Sequence, residues 1–111
     1  MNVAEKMKTL AARLGIDAER DTYTGKADAW LTWVYTGESA EVCAGDLPEE
    51  NVTHLDVHLF TPRTEQAEAL KSALCSGLWD LGFLVDSLID APNTETQKSH
   101  VVASCAIIDE T

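Results

Sequence analysis

Three polar residues that could do chemistry recur at every second position in the middle of the sequence. His54, Asp56 and His58 alternate with apolar residues, and alternate positions of a strand share one face at a separation of ~7 Å. Imidazole and carboxylate groups on one face could share a metal ion with a further ligand such as His100. A polar strand face turned to solvent or to another protein explains the same pattern. Because no spacing here is diagnostic, we favour the second explanation and expect no metal and no cofactor.

The cysteines offer a second possible route to chemistry. Cys43, Cys75 and Cys105 are widely spaced and form no C-x-x-C pair, so neither a zinc ribbon nor a redox motif is indicated. Cys75 or Cys105 could pair with a histidine as a nucleophile. Both fall at predicted buried positions, where cysteine usually acts as a small hydrophobic residue. The scattered glycines form no phosphate-binding loop, and we therefore predict a protein without catalysis.

The charge of the chain is strongly acidic. Nineteen acidic and eight basic residues give a net charge of −11, and no Lys or Arg occurs between Ala27 and Pro62. A surface that grips nucleic acid needs clustered bases, so this composition argues against one. The acidity fits either simple solubility or a specific role. Free thiols suit a reducing cytosol. No apolar run is long enough to cross a bilayer, and no secretory signal is evident.

The elements that must position these residues belong to one predicted α+β domain spanning residues 1–111. A helix over Val3–Leu14 is indicated by its apolar spacing, by a capping box from Asn2 to Glu5, and by Gly15 as its stop. Aromatic and β-branched residues predict a strand over Trp30–Thr36. A short strand through Val42 is also considered.

The second half of the chain continues the same pattern. The alternation over Val52–Phe60 predicts a half-buried strand. Thr61-Pro62 then opens a helix that ends at Gly77 or Gly82. Strands are predicted over Phe83–Ile89 and Ser99–Ile108, the latter central and covered on both faces. The predicted buried stripe of the second helix consists of Ala67, Leu70, Ala73, Leu74 and Leu78.

The predicted fold is thus a mixed, largely antiparallel sheet of four to five strands flanked by two helices, in the order α-β-β-β-α-β-β. Within it, Trp30 and Trp33 point to opposite faces of one strand. We expect one of the pair in the core and the other at an interface with a second subunit, because Trp is favoured at protein interfaces. The polar strand face of His54, Asp56 and His58 is assigned to the same subunit interface.

The order and spacing of these features resemble the small tail-terminator, or tail-to-head joining, proteins of long-tailed bacteriophages, especially those of Gram-positive hosts and their prophages. The resemblance covers nearly the whole chain and rests on no single motif. The features that carry it are Leu14-Gly15-Ile16, the strand Trp30–Tyr35, the acidic loop with Ala44-Gly45-Asp46, the strand Val52–Phe60, the helix Arg63–Ser76, Gly82-Phe83, and Lys98-Ser99-His100.

This resemblance implies a homo-hexameric ring that sits on the last ring of the tail tube, stops tube growth and presents a surface to the head connector. It implies a protein of the virion neck, assembled in the host cytoplasm, through which DNA passes without specific binding. Acidic residues facing the lumen would repel DNA phosphates. The residues assigned to this lumen are Glu38, Glu41, Asp46, Glu49 and Glu50.

Three alternatives remain open at this point. The chain could serve another neck or tail-completion role. It could be a small cytosolic ligand-binding or regulatory domain, which would need a concave apolar pocket with convergent polar groups. It could also be a metal-dependent enzyme that uses His54, His58 and His100.

Overall fold

The first helix forms where its caps predict it. The computed structural model describes residues 2–40, 51–62, 66–90 and 98–108, and helix α1 spans Val3–Leu14. The Asn2 side chain accepts a hydrogen bond from the Glu5 N–H at 2.8 Å. Gly15 closes the helix in the left-handed conformation with φ 71°, and its N–H donates to carbonyls of the last turn. Both ends of α1 are therefore confirmed.

Five strands form one sheet in the order β1-β2-β3-β5-β4. They are β1 Asp17–Arg20, β2 Trp30–Ala40, β3 Asn51–Pro62, β4 Leu84–Asp90 and β5 Lys98–Ile108, with helix α2 Gln66–Asp80 between β3 and β4. Strand β1 pairs parallel to β2, and the other pairs are antiparallel. The predicted fold class and element order are confirmed. The first strand, however, is β1, which the sequence patterns missed, and the considered strand through Val42 lies outside the described residues.

The core lies between the two helices and one face of the sheet. Leu55, Val57 and Leu59 of β3 are at most 1% exposed, whereas His54, Asp56 and His58 between them are only half-buried. Met7 and Leu10 of α1 belong to the same buried cluster as Leu74 and Leu78 of α2. Both helices therefore cover the same face. The opposite side of the sheet, formed by the side chains that point away from the helices, is called the open face below.

Two details around α2 differ from the sequence-based expectation. Pro62 ends β3 opposite Lys98 instead of opening the helix. Proline cannot donate a hydrogen bond to the ladder, so it disrupts the end of a strand less than its interior. Ala73 is exposed, and the buried side of α2 includes Gly77, through which the helix continues to Asp80. Strand β5 is an inner strand as predicted, and within one copy of the chain Val102 on its open face is half-buried.

Close approach of the helices explains the glycine inside α2. A Cβ added at Gly77 would lie 2.3 Å from Cδ1 of Leu10, and Leu10 is fully buried. Contacts between carbon atoms are normally about 3.5–4.0 Å. Gly77 is thus the position that lets α1 and α2 meet.

The free edge of each outer strand of the sheet is either short or irregular. Strand β1 has four residues and is followed directly by Asp21, which adopts a positive φ of 65°. Strand β4 carries a bulge, because its pairing with β5 shifts register between Val85 and Ser87. The residue left between them is the exposed Asp86. Neither edge is a long, regular run of unpaired backbone.

Candidate functional site

The open face is the part of the sheet that the helices leave uncovered. Strand register places Trp30 of β2, Phe60 of β3 and His100 of β5 in one row across it. Further apolar side chains extend it to β4, where Leu84 is 52% and Ile89 is 55% exposed. A sheet with one apolar face usually buries that face against another layer. The open face is therefore the main candidate for a functional surface.

Five rings stack in a continuous row on the open face. The ring centroids are 4.7 Å apart for Tyr23 and Trp30, 5.2 Å for Trp30 and Phe60, 4.2 Å for Phe60 and His100, and 5.0 Å for His100 and His58. The ring planes of these neighbours lie within 26° of each other. Since neighbours cover the ring faces, the row presents ring edges outward. The edge of an aromatic ring carries its positive partial charge.

The loop between β1 and β2 holds the first ring of this row in place. The Tyr23 hydroxyl donates to Asp17 at 2.8 Å and accepts from the Ala27 N–H at 2.9 Å. The Thr24 N–H donates to the Glu19 carboxylate at 3.0 Å. Asp17 pairs with Trp30 in register, so these bonds fold the loop back over the β1 end of the open face. The sequence contained no pattern that indicated this fold-back.

Of the three histidines considered as metal ligands, His58 and His100 are in contact and His54 lies apart from them. Nδ1 of His58 lies 2.8 Å from Nε2 of His100, a hydrogen bond in which one ring donates and the other accepts. Burial and the neighbouring His58 lower the pKa of His100, which favours the neutral form of His100. His54 lies four residues further along β3. Within the described part of the chain, no group of three or more His, Cys, Asp or Glu side chains could hold a metal ion.

Asp56 and Cys105 have ordinary structural environments. Asp56 accepts a hydrogen bond from the Ser104 hydroxyl at 2.9 Å across the strands. Cys105 is buried on the helix-covered face, and burial together with nearby carboxylates raises its pKa to about 12. Its thiol donates to the Ala103 carbonyl. A thiol with so high a pKa stays protonated, and the sheet separates it from the histidines of the open face.

The two tryptophans of β2 lie on opposite sides of the sheet, as the alternation predicts. Trp33 is 3% exposed in the core, and its indole N–H has no acceptor among the described residues. Trp33 therefore offers almost no area to another subunit. Trp30 lies half-buried on the open face between Tyr23 and Phe60. Of the pair, Trp30 is the residue placed where a subunit interface could include it.

Most of the predicted acidic lumen residues fall outside the described structure. Glu38 lies in β2 opposite Thr53, while Glu41, Asp46, Glu49 and Glu50 are outside the described residues. The assignment of these residues to a lumen remains a prediction. In the described part of the chain, no helix is long and apolar enough to cross a membrane.

An open groove runs along the aromatic row. It has a volume of about 380 Å³, and Tyr23, Trp30, Val34 and His58 contribute to its walls, with Asp21 at one side. Its lining is mainly aromatic with a few polar groups. A groove with these walls suits a flat apolar side chain of a protein partner.

Comparison with known proteins gives a weak structural likeness. No family model matches the sequence, and no curated protein matches it. Among solved structures, the chain is similar to one in a cryo-EM structure of an extracellular contractile injection system, described as the PVC sheath/tube terminator in the extended state. The TM-score is 0.41 at 12% sequence identity, over 98% of this chain and 56% of that chain. The chain thus spans little more than half the length of that protein, and a likeness at this level carries no argument.

Proposed function

We propose that this chain is a tail-terminator protein of a long-tailed phage or a phage-like particle, and that it acts by assembly without catalysis or cofactor. Copies of the chain form a ring. The family that the sequence resembles implies six copies in this ring. The ring sits on the end of the tail tube, stops tube growth and offers its other side to the head connector. The protein works in the neck of the particle after assembly in the host cytoplasm.

The observation that carries the proposal is the open face. Two helices shelter one side of a five-stranded sheet, and the other side keeps an aromatic row and exposed apolar residues of β4. A chain that works alone in solution rarely leaves such a surface uncovered. A protein that becomes one part of a larger particle has that surface covered by its neighbours.

The acidic charge fits a position around the DNA path. A channel that carries DNA must not hold it, and carboxylates near the lumen repel phosphates. In the proposed ring, Glu38, Glu41, Asp46, Glu49 and Glu50 approach this lumen. A structure of the assembled ring with these side chains on the outer rim would refute that part of the proposal.

The proposal is tested by capping of tail tubes. The purified chain is added to polymerising tail-tube protein from the same genome, and tube lengths are measured by negative-stain electron microscopy. We expect shorter tubes with one extra ring at an end. Val102→Asp places a charge on the open face and should abolish this effect, whereas Ala4→Asp adds the same charge at an exposed position of α1. Tubes that grow equally long with and without the wild-type chain would contradict the proposed function.

A further inference from the structure

Among the described residues, Trp79 is the largest exposed apolar side chain on the helix-covered side of the molecule. It lies in the last turn of α2 and is 55% exposed. Beside it, Arg13 of α1 and Asp80 form an ion pair at 3.0 Å. The preceding turn of α2 exposes only small residues, Ser72, Ala73 and Ser76. An indole that rises from small neighbours is well placed to insert into a partner, and Trp is the residue type most enriched at binding hot spots.

The groove on the open face offers a chemical match for this indole. Trp30 and Phe60 are stacked on each other in the row and present their ring edges outward. Ring edges carry positive partial charge and ring faces negative charge, so an inserted indole can lie with its face against these edges. Val34 adds an aliphatic wall, and Asp21 can accept a hydrogen bond from an indole N–H.

The distribution of charge decides how two copies would meet. The described strand side chains that point to the open face include the carboxylates of Asp17, Glu19 and Asp56 and no Lys or Arg. On the other side of the molecule, helices α1 and α2 together have four basic residues and three acidic residues. Two open faces brought together would oppose carboxylates, whereas an open face against the nearly balanced helix side would not. Charge therefore favours a head-to-tail contact over a two-fold symmetric one.

We infer that Trp79 of one copy inserts into the open-face groove of a second copy of this chain. The contact is heterologous, with a different surface on each partner, and repetition of such a contact generates a closed ring or a filament. The inference deepens the proposed function and rests on it, since it names the contact from which the terminator ring is built.

Two variants break the contact from opposite sides. Trp79→Ala removes the inserted side chain but leaves the groove intact. Val34→Gln places a longer neutral side chain in the groove and leaves Trp79 intact. Each variant alone should self-associate about 30-fold or more weakly than the wild type, the size of effect typical of a hot-spot residue. Association is measured by analytical ultracentrifugation, and circular dichroism and thermal melting confirm that each variant is folded.

Mixing the two variants tests the head-to-tail geometry. The Trp79→Ala copy supplies a groove and the Val34→Gln copy supplies an indole, so the mixture should form a heterodimer that cannot grow further. Tyr35→Ala serves as the matched control, because Tyr35 is also an exposed aromatic residue at 38% exposure but lies away from the groove. This control should associate like the wild type.

Several outcomes would overturn the inference, and they differ from failure of the proposed function. A wild-type chain that stays monomeric at its highest soluble concentration contradicts the contact, as does a variant mixture that yields no heterodimer. Equal weakening by Tyr35→Ala would show unspecific apolar association. If the wild type caps tail tubes but Trp79→Ala caps them equally well, the terminator function stands and this contact is wrong. If copies associate as described but never cap tubes, the proposed function fails instead.

Discussion

Replacement of Gly77 by Ala is expected to destabilise the fold, although Ala is the better helix former. In an exposed helix this change stabilises by about 1 kcal/mol. Here the added methyl group would lie 2.3 Å from Cδ1 of Leu10. Leu10 is fully buried, so surrounding side chains restrict its movement away from the methyl group. Overpacking of this kind costs about 1–3 kcal/mol. We expect a net loss of about 1 kcal/mol in the free energy of unfolding, from the difference between these terms.

Urea denaturation followed by circular dichroism measures this loss, and thermal melting should show a midpoint lower by about 4 °C. Ser76→Ala is the matched control, because it adds an Ala at the neighbouring exposed position of the same helix and should stabilise by a few tenths of a kcal/mol. A Gly77→Ala variant that gains stability like this control would refute the steric reasoning.

A double-mutant cycle locates the cause of the effect. Leu10→Ala alone should cost about 3 kcal/mol, as is usual for a buried leucine. In the double variant the new methyl at position 77 occupies part of the space that Leu10 leaves. The two losses should therefore sum to more than the loss of the double variant, with a coupling energy of about 1 kcal/mol. Strict additivity would show that Leu10 is not the group that opposes the added methyl.

Three further predictions concern the pH response, the thiols and the loop of the open face. The pKa of His100 is lowered by burial and by its neighbouring histidine, so stability should fall as the pH drops below about 6.5 and level off below the lowered pKa. His100→Gln should flatten this step in pH-dependent urea melts, and a step that stays unchanged in this variant would contradict the prediction. Burial raises the pKa of Cys105 to about 12, so iodoacetamide should label the half-buried Cys75 before Cys105, as followed by peptide mass mapping. Faster labelling of Cys105 would be inconsistent with its buried thiol. Tyr23→Phe removes two hydrogen bonds of the β1–β2 loop, so trypsin should cut the loop faster than in the wild type. An unchanged cleavage rate would show that these bonds do not stabilise the loop conformation.

Strong local patterns predicted the fold well. The caps at Asn2 and Gly15 and the alternation over Val52–Phe60 depend on neighbouring residues, so the sequence alone was sufficient to place α1 and β3. Strand β1 was missed because Asp17–Arg20 has almost no apolar character, and only its pairing with β2 makes it a strand. The helix predicted from Pro62 begins later, because pairing of β3 with β5 extends through that residue.

The candidate site was predictable only in part. Alternation along β2 and β3 was enough to separate Trp30 from Trp33 and to place His54, Asp56 and His58 on one face. The row of stacked rings was not predictable, because it depends on register between three strands and on a loop that folds back over Trp30. Such long-range pairing leaves no signal in a single sequence.

The bulge of β4 affects the tendency of the protein to aggregate through its sheet edge. Asp86 projects from the irregular part of this outer strand, and a carboxylate at a sheet edge opposes pairing with a foreign strand. Exposed apolar residues on the adjoining surface would otherwise favour fibrillar growth by edge-to-edge addition. Removal of this charge, as in Asp86→Val, would therefore be expected to make the protein form fibrils slowly during storage at high concentration.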